Sequence, residues 1–126
     1  MPLQTTPAQS TEDIRAFFDA IAATYADSHG QADEALRDRL NLIDFLLAKT
    51  RRNTLVEIGC GTGLHLFPLA SSFQQAIGTD LSPAMIARAE AIQVNHAKAQ
   101  RIHLRVDPAE SLGTIDNAIA DAVLCV

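Results

Sequence analysis

Tryptophan is absent, tyrosine occurs once, and the two cysteines, Cys60 and Cys125, form no C-x-x-C pair. A disulfide scaffold and a cysteine-based zinc site are thereby excluded, and a reduced cytoplasmic setting is expected. The four histidines are scattered with no metal-ligand spacing. No apolar run approaches the roughly 18 residues of a membrane span. Residues 1–10 lack the basic start and apolar centre of a secretory signal and read as a mobile N-terminus. Basic charge is also in deficit: the net charge is −5, which argues against a general nucleic-acid-binding surface. Lys98, Arg101 and Arg105 are a small local basic group, and they read as a solvated face. What is present is 126 residues, 48% of them apolar and 20% charged, enough for one globular domain with one core.

The stretch Leu55 to Gly63 organises this domain. Leu55-Val56-Glu57-Ile58 suits a strand buried on both faces. Gly59, Gly61 and Gly63 follow at alternate positions, and Leu64-His65-Leu66-Phe67 opens a helix. A strand, a glycine turn around Cys60 and a helix form a nucleotide-binding corner. Glycine permits φ > 0 and lets a ligand approach without meeting a Cβ, and the helix start offers free N–H groups. The spacing is G-x-G-x-G, whereas the dinucleotide fingerprint is G-x-G-x-x-G. Glu57 stands two residues before the first glycine, where a carboxylate would repel a pyrophosphate and suit a cationic or amino-bearing ligand. The second strand, Gln75 to Thr79, ends at Asp80, which lies 21 residues beyond Gly59. An acid about 20 residues past such a turn can accept both ribose hydroxyls. A purely capping role for Asp80 is less needed, because Ser82 and Pro83 already supply a cap and a favoured first helical residue.

The remaining elements follow from periodicity. A first helix starts at Ser10 or Thr11 with Ile14, Phe17, Phe18, Ile21 and Tyr25 on one stripe, read chiefly as packing, and closes at Asp27-Ser28-His29-Gly30. A second runs from about Ala32 to Lys49, its buried stripe of Leu36, Leu40, Ile43 and Leu47 widened by Leu42, Phe45 and Leu46. A third runs from Pro83 to about Ala99, with Met85, Ile86, Ala89, Ile92 and Val94 on its buried side. Strands follow at Arg101–Val106, alternating as at a sheet edge with His103 solvated, and at 122–126, apolar throughout. Alternating strands and helices predict an α/β fold with a parallel sheet.

Five segments resemble class I S-adenosylmethionine-dependent methyltransferases of the ubiquinone and menaquinone biosynthesis type, covering about residues 17–126. Glu57-Ile-Gly-Cys-Gly-Thr-Gly resembles their first motif, in which the loop wraps the methionine part of the cofactor and the acid reaches its amino group. Phe18-Asp19-Ala20-Ile21-Ala22-Ala23-Thr24-Tyr25 is similar to an opening helix that lies over the cofactor cleft as a lid, its tyrosine facing ligand. Leu81-Ser82-Pro83-Ala84-Met85 resembles the segment whose apolar residues flank the adenine, although Met85 suits a core equally. Asp107-Pro108-Ala109-Glu110-Ser111-Leu112 resembles the adenine-reading segment, with Pro108 in the place of its acid, so that either Asp107 or the backbone around Ala109 and Glu110 takes that role. Asp121 to Val126 matches the fourth strand.

The resemblance implies a Rossmann-like sheet with N-terminal lid helices, of which residues 11–126 supply the first four strands of seven, truncated after the fourth. It also implies methyl transfer from S-adenosylmethionine to a small-molecule nucleophile. The chain alone is expected to be inactive, and no catalytic base is identified. A non-catalytic cofactor-binding module and a nicotinamide-dependent oxidoreductase are the alternatives. The apolar fourth strand, as an exposed edge, is expected to pair with a second copy or a partner.

Overall fold

The computed structural model describes residues 10–25 and 33–126. The expected mobile start and the helix closure at Asp27–Gly30 lie outside the described residues. Four strands form one parallel sheet in the order β3-β2-β1-β4. They are β1 (Thr54–Ile58), β2 (Gln75–Asp80), β3 (Ile102–Val106) and β4 (Ala122–Leu124). Helices α1 (Thr11–Ile21), α2 (Asp33–Leu46), α3 (Leu66–Ala70) and α4 (Pro83–Gln93) accompany them. This is the Rossmann-like α/β arrangement expected from the sequence.

Pairing explains which side chains meet. Leu55 lies opposite Ala76 and Ala122, and Ala76 opposite Ile102, so these residues share one face of the sheet. They join Leu66, Phe67, Leu69, Ala70, Phe73, Ile86 and Ala89 in one buried cluster, with Leu40, Ile43, Leu47, Leu104 and Leu124 against it. Val56 and Ile77 lie on the other face and are equally buried, as the doubly apolar reading of β1 required. Arg52 closes the core at the end of α2, its guanidinium 5.1 Å from the centre of the Phe73 ring and donating to the Leu47 carbonyl at 3.1 Å. Asp121 holds the start of β1 by accepting from the N–H groups of Asn53 (3.1 Å) and Thr54 (2.9 Å).

Several elements depart from the sequence reading. Helix α1 begins where expected, with Ser10 and Asp13 forming a reciprocal capping box, but none of its residues is buried. Phe17 is exposed, while Ile14, Phe18 and Tyr25 line a cleft instead of a core. On α2, Leu42, Phe45 and Leu46 do not widen the buried stripe, and Phe45 is 75% exposed. Helix α4 stops at Gln93 instead of Ala99, leaving Ile92 and Val94 exposed. The cause is polar. The Gln93 amide donates to the Ala99 (2.9 Å) and Ile102 (2.7 Å) carbonyls, drawing the following chain back toward β3. His96 accepts the Lys98 N–H at Nδ1 (2.9 Å), which places its proton on Nε2 against the Phe67 carbonyl at 2.8 Å. Strand β4 is shorter than expected and buried on one face only: Ala122 is buried, Leu124 packs on the core, and Val123 is 62% exposed.

Gly78 sits where helix and sheet meet most closely. A Cβ there would lie 2.6 Å from Leu66 Cδ2, 2.9 Å from Cys60 Sγ and 3.1 Å from Leu104 Cδ2. Overpacking of this kind costs roughly 1–3 kcal/mol. Gly78→Ala should therefore lower the urea midpoint clearly, whereas Gly113→Ala, whose Cβ would have no neighbour within 4 Å, should leave it nearly unchanged; equal midpoints would contradict this packing.

Candidate functional site

The parallel register brings the carboxyl ends of β1, β2 and β3 to one edge, with Ile58 beside Thr79 and Asp80 beside Val106. Three turns leave this edge side by side. This is where open α/β sheets hold ligands. A wider groove of about 590 Å³ at the other end of the strands is lined by Asn53, Thr54, Gln74, Gln75, Gln100, Arg101 and His103 and has no glycine turn.

The glycine turn requires its glycines. Gly59, Gly61 and Gly63 have φ of 70°, 54° and 89°, a region that side chains strain. A Cβ on Gly63 would also strike the Phe67 ring at 2.4 Å, and one on Gly61 would point at Tyr25, 3.9 Å away. The turn is tied to β2 by the Cys60 N–H on the Thr79 carbonyl at 2.8 Å. Asp80 completes the link. Its Oδ2 accepts the Gly61 N–H and its Oδ1 the Ser82 N–H, each at 2.9 Å. Asp80 therefore holds the loop as well as facing the cleft. Ser82, fully buried, caps α4 by accepting the Met85 N–H at 3.1 Å.

A cleft of about 280 Å³ opens beside these turns. Its walls include Tyr25, Gly59, Gly61, Asp80, Leu81, Met85, Asp107, Ala109 and Glu110, all anticipated from the sequence. Met85 is both core and cleft wall, 1% exposed. Ile14, Phe18 and Val126 also line it and were not among the anticipated site residues. The i, i+4 spacing of Ile14 and Phe18 was visible, but spacing alone does not separate a core stripe from a cleft wall.

Glu57, Cys60 and Gly63, also expected in the site, are not among the residues that line the cleft. Strand alternation explains Glu57: it shares a face with Leu55 and lies opposite Gly78, the face that α3 covers. It is 2% exposed, and among the described residues its Oε1 has no hydrogen-bond partner. Burial, with the Asp80 charge nearby, raises its pKa to about 8, partly offset by the Leu66 N–H. Burial likewise pushes the Cys60 thiol well up, with Glu57 and Asp80 adding to the effect, so this thiol is a packing group and not a nucleophile.

Asp107 is engaged by its own loop. Its carboxylate accepts from the Thr114 hydroxyl (2.6 Å), the Thr114 N–H (2.8 Å) and the Gly113 N–H (3.2 Å). These bonds, that of the Thr114 hydroxyl foremost, hold its pKa below the usual carboxylate value. The carboxylate thus shapes the wall that carries Ala109 and Glu110. His65 lies outside the cleft lining. Its Nε2 accepts from Arg39 Nε at 3.3 Å, and burial together with the Arg39 charge lowers its pKa. Among the described residues no cluster of His, Cys, Asp and Glu could hold a metal ion, and no helix is long and apolar enough to cross a membrane.

Comparison with known proteins follows this geometry. The methyltransferase domain family matches residues 55–126, more than half of the chain. The probable S-adenosylmethionine-dependent methyltransferase CRG1 of Saccharomyces cerevisiae is 36% identical over 76 residues, which are 60% of this chain and 26% of that protein. The cyclase SpnF superposes with a TM-score of 0.73 at 19% identity, covering 91% of this chain and 48% of that one. The magnesium protoporphyrin IX methyltransferase of Synechocystis PCC 6803 with bound SAM gives a TM-score of 0.69 at 18% identity, covering 96% of this chain and 64% of that one. The chain thus spans about a quarter of its curated relative and about half to two thirds of these structures. The solved structures share its fold, and the family match runs from the first core residue of β1 through β4. The chain belongs to the methyltransferase domain family.

Proposed function

We propose that this chain carries the S-adenosylmethionine-binding half of an enzyme that transfers a methyl group to a small-molecule nucleophile. The observation that carries the reading is Asp80, a carboxylate at the end of β2 that faces the cleft while fastened to the glycine turn. The site suits such a cofactor in three further ways. Gly61 leaves the backbone bare beside the cleft. Leu81, Met85, Phe18 and Tyr25 supply apolar wall for a flat base. Glu57 keeps an unpartnered buried oxygen behind the turn, a natural destination for an amino group. The cleft volume lies near the lower end of small-molecule sites, roughly 300–1,000 Å³.

When bound, S-adenosylmethionine supplies a methyl group already activated by a positively charged sulfur. The residues of this chain therefore need to bind, orient and exclude water, not to carry a general base. Asp80 would accept the ribose hydroxyls, Leu81 and Met85 would flank the adenine, and the backbone at Ala109 and Glu110 would meet its edge, since the Asp107 oxygens are committed to residues 113–114. A reduced cytoplasmic setting is part of the proposal, supported by the unpaired Cys60 and Cys125. So is the absence of nucleic acid among its partners, supported by the net charge of −5. Self-association through the β4 edge is a further part, supported by exposed Val123 and Val126.

Three outcomes test this. Calorimetry should show S-adenosylmethionine and S-adenosylhomocysteine binding more tightly than NAD. Asp80→Ala should weaken them by about 1.5–3 kcal/mol and also lower thermal stability, because two backbone N–H groups lose their acceptor; tighter NAD binding, or unchanged affinity in the variant, would contradict the reading.

The second concerns pH. At neutral pH a carboxyl with a pKa of about 8 is largely protonated. An ammonium group brought beside it favours the carboxylate, so binding should release a proton near pH 7, read as a dependence of the binding enthalpy on buffer, and Glu57→Gln should abolish the release. The same shift sets the stability trend. Between the ordinary value of 4.5 and about 8 the folded chain holds a proton that the unfolded chain gives up. Folding stability should therefore fall relative to Glu57→Gln as pH rises through that window, by a few kcal/mol in all. Parallel curves for the two proteins would refute the burial of an ionisable Glu57.

The third concerns the sheet edge. Sedimentation should show a concentration-dependent dimer that Val123→Lys shifts to monomer. Leu124 is unsuited to this test because it packs on the core. A monomer at every concentration would remove the self-association.

A further inference from the structure

Helix α1 lies over the cleft, yet none of its residues is buried. Apolar burial is therefore a weak account of what holds it there. Its composition poses a second question. Asp19 falls in the last turn of α1, where the helix C-terminus disfavours a negative charge and where no basic residue compensates. The tertiary contacts answer both. Asp19 Oδ1 accepts from the Ser82 hydroxyl and from the Ala84 N–H (3.1 Å), at the N-terminus of α4. A carboxylate unfavourable for its own helix is thus placed at the one end of another helix that favours it. One turn earlier, Arg15 Nε donates to the Leu81 carbonyl at 3.2 Å.

We infer that Asp19 is a positioning residue that latches α1 across the cleft and couples the lid to the ligand-holding carboxylate. The connection is continuous. The Ser82 hydroxyl donates to Asp19, the Ser82 N–H donates to Asp80, and the other oxygen of Asp80 accepts from Gly61 in the glycine turn. Ser82 is fully buried, so the junction is shielded from competing water. A second contact reinforces it: Phe18 packs edge-on against Tyr25, with ring centres 6.4 Å apart, and Tyr25 faces the position of Gly61. With the latch made, Ile14 and Phe18 stay over a bound ligand and its escape is slowed. With the latch broken, α1 has little apolar burial to hold it.

Two readouts test this on the full chain, and only the second rests on the cofactor proposed above. Asp19→Ala should speed amide hydrogen exchange across residues 14–21 by at least tenfold while exchange in β1 and β2 is unchanged. Asp19→Asn, which keeps the accepting oxygen, should recover most of the protection. For S-adenosylhomocysteine, Asp19→Ala should raise the dissociation rate at least fivefold with a smaller change in association, and Arg15→Ala should shift it in the same direction. Exchange in α1 equal to that of the wild type would overturn the latch. So would an unchanged dissociation rate in a chain that binds the ligand. If the wild type fails to bind S-adenosylhomocysteine, the cofactor reading falls, and the exchange comparison still decides whether Asp19 holds α1.

Discussion

The carboxylate of Asp80 is the junction on which this end of the molecule depends. It receives the Gly61 N–H on one oxygen and the Ser82 N–H on the other. The first bond fixes a turn whose three glycines are all at positive φ and which has few side chains of its own to hold it. The second fixes the entry of α4. Charge-assisted bonds of this kind are stronger than neutral ones, and here they fasten two separate loops to the end of one strand. The backbone beside the cleft is thus set by the fold itself, an arrangement that would lower the ordering cost of binding the proposed cofactor.

A second acid makes the electrostatics of the corner unusual. Glu57 and Asp80 stand near enough for the charge of Asp80 to raise the pKa of Glu57, and burial raises it further. Asp80 accepts two backbone N–H groups, and the buried Glu57 carboxyl keeps its proton near neutral pH. Environment alone separates two chemically similar side chains into an acceptor and a reserve of latent charge. A cationic group entering the corner would draw on that reserve. A pyrophosphate would meet the charge of Asp80 instead.

Much of this was legible in the sequence, and the reasons are specific. Strand β1 was visible because a strand buried on both faces needs a largely apolar run, and β2 because a short β-prone run ends at Asp80. Asp80 was visible from its distance to the glycines, and Ser82 with Pro83 marked the start of α4. Periodicity reported which residues could be covered, not what covers them. Phe45 and Val94 fit their stripes yet face solvent, and the stripe of Ile14 and Phe18 faces a cleft. The early end of α4 depends on carbonyls that Gln93 and His96 find only after folding. The engagement of Asp107 by residues 113 and 114 likewise needs the turn at Leu112, whose φ is 46°. The pairing of Asp19 with Ser82 joins residues 63 apart, a distance no local pattern spans.

The most direct measurement of the central claim is the crystal structure of this chain grown with S-adenosylhomocysteine. The account predicts the ribose hydroxyls within hydrogen-bond distance of Asp80, the amino group directed behind the glycine turn toward Glu57, and the adenine between Leu81 and the wall at Ala109. Density for the ligand in the polar groove at the opposite end of the strands, or in the cleft with its ribose turned away from Asp80, would contradict it.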